Sequence, residues 1–92
     1  MNYYLYILYS NKADKFYIGY TTNPEKRLFD HNGGKNRFTR VYRPWRLVYQ
    51  ESFNDKTEAI KREKQLKNWK SRKQIEKLIN IPGWRSGISR GS

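Results

Sequence analysis

Apolar residues recur along the chain in short runs that are separated by polar segments. Residues 3–9 are a run of Tyr, Leu and Ile that favours a strand and is too short for a helix. A polar turn at 10–15 leads to a second apolar run at 16–20, and two strands around such a turn predict a β-hairpin. Residues 45–49 alternate between apolar and polar side chains, which predicts a third strand.

A first helix is predicted between the second and third strands. Thr22 with Glu25 fits a capping box, and Asn23 with Pro24 at the first helical position is an equally good start. The pair Gly33-Gly34 ends this helix, because glycine readily adopts the conformation that stops one.

Two further helices are predicted after the third strand. Asp55 opens one of them through a capping box with Glu58, and this helix reaches about Lys70. Ser71 opens the last helix in the same way, and the residues that follow it, 82–92, form a flexible tail rich in Gly, Ser and Arg. The apolar stripe of the last helix comprises Ile75, Leu78 and Ile79.

The order of these elements, β-β-α-β-α-α, predicts an α+β domain in which helices flank a three-stranded, mostly antiparallel sheet. With 92 residues the chain suffices for one such domain, which we place at residues 1–81. Eight Tyr and three Trp supply much of its core, because each aromatic side chain buries about 150–250 Å².

The formal net charge of +12 favours a polyanionic partner. Basic residues concentrate at 35–46 and 61–73, where interleaved aromatic side chains suit stacking on nucleobases. An acidic membrane surface and high solubility without a specific partner are the alternatives that the charge leaves open. The candidate nucleic-acid contacts are Lys35, Arg37, Arg40, Arg43, Arg46, Lys67 and Lys70.

The composition also excludes several kinds of site. Without Cys the chain has no disulfide, thiolate zinc site or cysteine nucleophile, and a single His excludes a multi-histidine metal centre. The longest apolar run is far shorter than a membrane span and lacks the features of a signal peptide. We therefore expect a cytoplasmic protein.

Glu63 is out of place in the pattern of its helix. On a helical wheel it falls between Ala59 and Ile60, which with Leu66 define the apolar stripe. A carboxylate in a buried stripe must be paired, protonated or bound to a metal, because burying it bare is too costly. An ion pair with one of the many basic residues is the simplest of these alternatives.

Four other side chains suggest chemistry in the first half of the chain. Arg27 and His31 are spaced i, i+4 on one helix face, where they could hold a phosphate and move a proton or simply lie at the surface. Tyr6 and Tyr17 lie on adjacent strands and can face one another. Gly19 lets another group, such as a phosphate backbone, come close to the chain.

These residues, in this order and spacing, resemble the GIY-YIG nuclease superfamily, and most of all its short, stand-alone bacterial members. The motifs are Tyr4-Leu5-Tyr6, Tyr17-Ile18-Gly19, Arg27, His31 and a helical Glu63, and the likeness covers residues 2 to about 79. The first motif lacks the glycine of the family name. The family also often carries an asparagine after the Glu-bearing helix; Asn68 and Asn80 are candidates, and we assign neither.

The resemblance implies three antiparallel strands with flanking helices, and hydrolysis of a DNA phosphodiester aided by one divalent metal. It makes Glu63 the sole protein ligand of Mg²⁺ or Mn²⁺, which is sufficient because Mg²⁺ keeps several waters. It makes Tyr17 the general base, with Tyr6 and His31 shaping its proton environment. Arg27 would then stabilise charge on the scissile phosphate.

Two functions are compatible with these residues. One is a DNA endonuclease that is weakly specific, structure-selective or directed by a protein partner, acting in repair, recombination or restriction. The other is a catalytically quiet nucleic-acid-binding protein, which has no need of a carboxylate that repels phosphate unless a metal neutralises it. Binding to a membrane surface through residues 56–70 is disfavoured, because Glu63 interrupts a narrow apolar face.

The charge generates a first prediction. DNA affinity falls steeply between low and physiological salt, because each neutralised phosphate releases condensed counterions. A titration of a labelled oligonucleotide at several salt concentrations measures the slope. A binding constant that stays the same across this range would contradict a polyanion-binding role.

Overall fold

The strands and helices follow one another along the chain in the predicted order. The computed structural model describes residues 2–69 and 72–79. Its elements are the strands β1 (Tyr3–Ser10), β2 (Lys15–Thr21) and β3 (Trp45–Phe53) and the helices α1 (Pro24–Asn32), α2 (Lys56–Lys67) and α3 (Arg72–Leu78), with a 3₁₀ turn at Arg40–Tyr42. The predicted α+β fold is thus confirmed.

The sheet has β1 at its centre, in the strand order β2-β1-β3, and both pairings are antiparallel. From Leu5 to Ser10 every residue of β1 is buried. This explains why the strand reads as a continuous apolar run, since a strand that is covered on both faces has no solvent side for polar residues. The pairing of β1 with β3 shifts register between Ile7 and Leu8.

Each face of the sheet has its own core. On one face, side chains of β1 pack with those of α2 and α3, and this cluster includes Leu5, Ile7, Tyr9, Val48, Leu66, Ile75 and Ile79. The stripe predicted for α3 is therefore part of the core. On the opposite face, α1 and the loop after it cover the sheet, and this cluster comprises Tyr6, Leu8 and Trp45 with Tyr17, Leu28, Tyr42 and Leu47 packed against it.

The structure shows which of the possible capping residues begins each helix. Asn23 is the N-cap of α1, because its side chain accepts a hydrogen bond of 3.1 Å from the backbone N–H of Lys26. Asp55 caps α2 in the same manner through Thr57, whereas the carboxylate of Glu58 lies 3.9 Å from Lys61 Nζ.

Two element ends differ from the prediction. β3 continues beyond 49 to Phe53, because Glu51 is held there by the Tyr49 hydroxyl and by Arg62, so a polar segment is stable in the strand. α2 ends at Lys67 rather than near Lys70, and the N–H of Asn68 bonds back to the last turn.

Part of the predicted architecture lies outside the described residues. This holds for the Ser71 cap and for the tail at 82–92. Among the described helices, none is both long and apolar enough to cross a membrane.

Asn32 fastens the end of α1 to the start of β3. Its side-chain amide donates to Trp45 O at 2.9 Å and accepts from Trp45 N at 2.6 Å, as a neighbouring strand would. Because Trp45 is buried, its backbone has no water to replace these bonds. The amide therefore fixes where α1 and the loop after it sit on the sheet.

We predict that Asn32→Ala lowers the free energy of unfolding by about 1–3 kcal/mol, the cost of leaving buried backbone groups unpaired. Urea unfolding followed by tryptophan fluorescence measures the loss. Asn68→Ala, which removes an exposed amide, is the matched control. An equal loss in both variants would contradict the bridging role of Asn32.

Candidate active site

The phenol of Tyr6 is packed directly onto Gly19. The two residues are partners in the β1–β2 pairing, and a Cβ atom on Gly19 would lie 2.8 Å from the Tyr6 hydroxyl. The close approach predicted at this glycine is therefore made by a side chain of the protein itself. A larger residue at Gly19 would displace the phenol, so this pair fixes the centre of the site.

The Tyr6 hydroxyl joins two groups from α1. Arg27 Nε donates to it at 3.5 Å, and His31 Nε2 lies 3.5 Å away. Tyr6 is fully buried, and burial raises the pKa of its phenol above the ordinary value, while the hydrogen bond from Arg27 acts in the opposite direction. The phenol is thus protonated at neutral pH and holds Arg27 and His31 at one point.

Tyr17 lies beside this group on β2. Its ring centroid is 4.6 Å from that of His31 and 6.3 Å from that of Tyr6. Tyr17 pairs with Leu8 across the strands, so it is a diagonal neighbour of Tyr6 on the same face rather than its direct partner. Tyr17 is partly exposed, whereas Tyr6 and His31 are buried.

His31 is oriented by a threonine from the loop after α1. The hydroxyl of Thr39 lies 2.8 Å from His31 Nδ1, and the carbonyl of Thr39 accepts a 2.8 Å hydrogen bond from Trp45 Nε1. Burial lowers the pKa of His31, and the positive charge of Arg27 acts in the same direction. The imidazole is therefore neutral at pH 7, and one of its nitrogens can accept a proton.

Thr39 was not among the candidate site residues. The stretch Phe38-Thr39-Arg40 reads as part of a basic loop, and nothing in its composition distinguishes a buried threonine from its exposed neighbours. The signal that could have found it is the resemblance, since Phe38-Thr39-Arg40 is one of the stretches similar to the GIY-YIG family, and its meaning becomes clear once Thr39 is seen to contact His31.

A cleft of about 180 Å³ opens beside Arg27 and His31, and its lining also includes Asp30, Lys35 and Asn36. Asp30 lies 3.1 Å from Lys26 Nζ and 3.4 Å from Lys35 Nζ. The hydrogen bond from Lys26 lowers the pKa of Asp30, so this carboxylate is ionised and compensated at neutral pH. The cations outnumber the acid around the cleft, which suits it to an anion.

Glu63 is positioned by the neighbouring residues of α2. Ala59 and Leu66 are buried against the sheet, and Arg62 makes two 3.0 Å hydrogen bonds to Glu51 on β3. With the helix fixed in this way, the side chain of Glu63 is only 16% exposed. Its negative charge is one of the influences that raise the pKa of Tyr6, so the carboxylate lies within electrostatic reach of the phenol.

The ion pair that the sequence offered as the simplest alternative for Glu63 is present. Lys67 Nζ lies 3.0 Å from its carboxylate, one helical turn away. Within the described residues, no group of three or more His, Cys, Asp or Glu side chains is arranged to hold a metal. A partly buried single carboxylate nevertheless fits Mg²⁺ or Mn²⁺, since such ions retain waters and take phosphate oxygens as further ligands.

The predicted nucleic-acid contacts separate into groups. Arg37, Arg40 and Arg43 are exposed on the loop that carries Thr39, and Lys35 lies at the cleft. Arg46 is on the opposite face of the sheet, with its guanidinium 5.8 Å from the centre of the Tyr9 ring. Lys67 is paired with Glu63, and Lys70 lies outside the described residues.

The first motif and the asparagine that we left unassigned can also be placed. Tyr4, at the position of the missing glycine, is partly buried on β1 and pairs with Thr21 of β2 and Ser52 of β3. Asn68 is the C-cap of α2, and Asn80 is outside the described residues.

Comparison with known proteins identifies the family. The model of the GIY-YIG catalytic domain matches residues 2–77. The UPF0213 protein of Staphylococcus haemolyticus is 47% identical over 77 residues, which are 83% of this chain and 92% of that protein. The UPF0213 protein of Staphylococcus saprophyticus is 42% identical over 78 residues, or 84% of this chain and 93% of that protein.

A solved structure extends this similarity to the fold. The solution NMR structure of the UPF0213 protein from Bacillus halodurans has a TM-score of 0.57 and 35% sequence identity, and the match covers 97% of this chain and 98% of that chain. The chain therefore belongs to the GIY-YIG family, which is a family of nucleases. Its similarity to the small UPF0213 proteins confirms the resemblance drawn from the motifs.

The buried imidazole generates a prediction for pH. Because the pKa of His31 is lowered in the folded protein, the unfolded chain binds a proton first as pH falls below about 6.5. The free energy of unfolding therefore decreases from pH 7 toward pH 5, by at most about 1.4 kcal/mol per pH unit. Urea unfolding at a series of pH values measures the slope.

His31→Gln is the control for this experiment. His31 is the single histidine of the chain, so the variant should lose most of the slope between pH 5 and 7. The same slope in both proteins would show that another group is responsible.

Proposed function

We propose that this protein is a divalent-metal-dependent endonuclease that hydrolyses DNA phosphodiester bonds, with weak or structure-dependent specificity. The observation that carries the proposal is the meeting of Arg27 and His31 at the buried Tyr6 hydroxyl, with the Tyr17 ring beside His31 and Glu63 within electrostatic reach. One neutral hydrogen-bond partner would satisfy the hydroxyl of a buried phenol, so a cation and an imidazole together exceed what burial alone requires. In the proposal Arg27 binds a phosphate, and Tyr17 and His31 take part in proton transfer.

Arg27 binds the scissile phosphate in this proposal. Its Nε is engaged by Tyr6, and the guanidinium lines the cleft together with Lys35. A planar guanidinium held in this way can direct its remaining N–H groups to phosphate oxygens. It thereby stabilises the negative charge that grows on the phosphate in the transition state.

Tyr17 remains our candidate for the general base. Of Tyr6, Tyr17 and His31 it is the one with a partly exposed side chain, so a water molecule can reach its hydroxyl without a change in the sheet. A phenol removes a proton at neutral pH only with help from nearby positive charge. His31 is neutral and its ring centroid lies 4.6 Å from that of Tyr17, so it is placed to take part in the proton transfer, while Tyr6 keeps the imidazole in place.

Glu63 would hold the metal ion. When bound, Mg²⁺ or Mn²⁺ polarises the phosphate and lowers the pKa of a coordinated water. The carboxylate offers a hard oxygen ligand and is already fixed by the burial of Ala59 and Leu66 on either side of it in α2. Lys67 must then leave Glu63, which frees its ammonium group for a DNA phosphate.

The ion pair between Glu63 and Lys67 also favours the second candidate function. A carboxylate that an internal lysine already neutralises does not require a metal. The same basic surface could then bind nucleic acid without turnover. A protein partner that directs the substrate choice is compatible with both functions.

A cleavage assay on duplex, nicked, flapped, branched and single-stranded DNA, with Mg²⁺ or Mn²⁺ and with an EDTA control, tests the proposal. We predict metal-dependent cleavage that Glu63→Gln reduces by at least about 100-fold, since a bound metal supplies several kcal/mol of charge stabilisation. DNA binding in EDTA should be unchanged or slightly tighter in this variant, because Lys67 loses its partner.

The matched control is Glu58→Gln. Glu58 lies on the same helix, is paired with Lys61, and is well exposed, so its loss should change cleavage little. Cleavage by Glu63→Gln at the wild-type rate would exclude Glu63 from the mechanism. Binding to the whole panel without any cleavage would favour the quiet nucleic-acid-binding protein.

A further inference from the structure

The loop between α1 and β3 exposes a large apolar side chain among arginines. Phe38 is 84% exposed and Val41 is 55% exposed. Arg37, Arg40 and Arg43 surround them in the sequence, and all three are exposed. We call residues 37–43 the Phe38 loop. Exposed apolar side chains that lie close together in the sequence and are rimmed by charged residues are typical of an interaction site.

The exposure of Phe38 is not a result of a loosely held loop. Asn36 Oδ1 accepts hydrogen bonds from the backbone N–H groups of Phe38 at 2.8 Å and of Thr39 at 3.2 Å. Thr39 itself is buried against His31, and its carbonyl accepts the bond from Trp45. The residues on both sides of the phenyl ring are therefore anchored, and the ring is held out from the surface.

One arginine of the Phe38 loop packs against the turn that ends α1. Gly34 has a φ of +85°, and a Cβ atom on it would lie 2.6 Å from a guanidinium nitrogen of Arg43. Arg43 therefore packs over the turn at the base of the Phe38 loop. The carboxylates nearest in sequence do not neutralise the loop, since Asp30 is engaged by Lys26 and Lys35.

We infer that the Phe38 loop binds a nucleobase that has lost a stacking neighbour, with Phe38 against the face of the base and the arginines on the adjoining phosphates. An aromatic ring between cations matches the alternation of flat bases and charged phosphates along a nucleic-acid strand. A purely electrostatic surface would need no exposed phenyl ring, and an apolar protein partner would not need the positive charge. This inference rests on the proposed function and names its substrate class, which is DNA with unpaired or unstacked bases.

The same loop connects this contact to the proposed chemistry. Thr39 follows Phe38 directly and orients His31 through Nδ1. A base that is stacked on Phe38 would therefore lie next to the cleft lined by Arg27 and His31. In this inference, the unstacked base and the phosphate that would be cut are bound by neighbouring parts of the protein.

Fluorescence anisotropy with two labelled DNAs of equal length tests the inference. One probe is a continuous duplex and the other carries a short single-stranded gap. Binding is measured in EDTA with the full chain, so the result does not depend on cleavage. We expect Phe38→Ala to weaken binding to the gapped probe by about 5- to 150-fold, the usual effect of removing one stacked base contact. The effect on the duplex should be within about twofold.

Two variants serve as controls. Phe29→Ala removes another exposed phenyl ring, which is 75% exposed on α1, and should leave both affinities unchanged. Phe38→Trp keeps an aromatic face and should retain the preference for the gapped probe. Arg40→Ala should weaken both probes alike and reduce the salt slope by about one.

The outcomes are distinct. A selective loss in Phe38→Ala supports the inference even where the cleavage assay shows no activity. An equal loss of affinity for both probes overturns the inference. No loss of affinity for either probe also overturns it, and this result would favour a protein partner for the exposed ring. If the inference is overturned but the cleavage assay still shows metal-dependent activity, the proposed nuclease function stands.

Discussion

The packing of a tyrosine hydroxyl on a glycine is the contact on which the rest of this site depends. Tyr6 stands on the central strand and occupies the space that a side chain at Gly19 would fill. A phenol buried in this way must find polar partners, because an unpaired hydroxyl in a core is costly. Arg27 and His31 supply them from α1. The hydrogen bonds of Tyr6 therefore help to hold α1 on the sheet and also assemble the reactive groups.

The positive charge of the chain is divided between two tasks. Some cations hold the structure together: Lys26 and Lys35 compensate Asp30, Arg62 ties α2 to Glu51, and Lys67 compensates Glu63. Others, above all the arginines of the Phe38 loop, face solvent. Composition cannot separate these tasks, because a lysine in an ion pair and a lysine in water look alike in a sequence. The separation comes from where the eight acidic residues fall in the fold.

Much of the architecture could be predicted because short apolar runs, caps and glycines act locally. The continuous run of β1 and the polar turn after it define the hairpin, and Asn23 before Pro24 starts α1. The extension of β3 to Phe53 could not be predicted, since it depends on pairing with β1 and on the contact of Glu51 with Arg62 of α2. Local pattern carries no information about a partner that is supplied by a later helix.

The candidate site could likewise be predicted only in part. Tyr6, Tyr17, Arg27, His31 and Glu63 were chosen from the sequence by spacing and resemblance, and the first four are brought together by the fold. Arg46 was placed with the loop arginines, yet strand alternation turns it to the opposite face from Trp45. Thr39 was missed because its role depends on tertiary contacts with His31 and Trp45. Residue types are visible in a sequence, whereas burial and orientation follow from long-range contacts.

The central position of β1 has a consequence for how the site forms during folding. The hairpin and α1 are contiguous in the chain, so the groups around Tyr6 can gather through contacts of short sequence separation. Glu63 arrives only with α2, after β3 has crossed back to pair with β1, and closing that longer loop carries an entropic cost. We therefore expect the groups around Tyr6 to gather from contiguous segments and Glu63 to join them last. In that order the proposed catalytic set is complete only once the sheet has closed and α2 has packed on it.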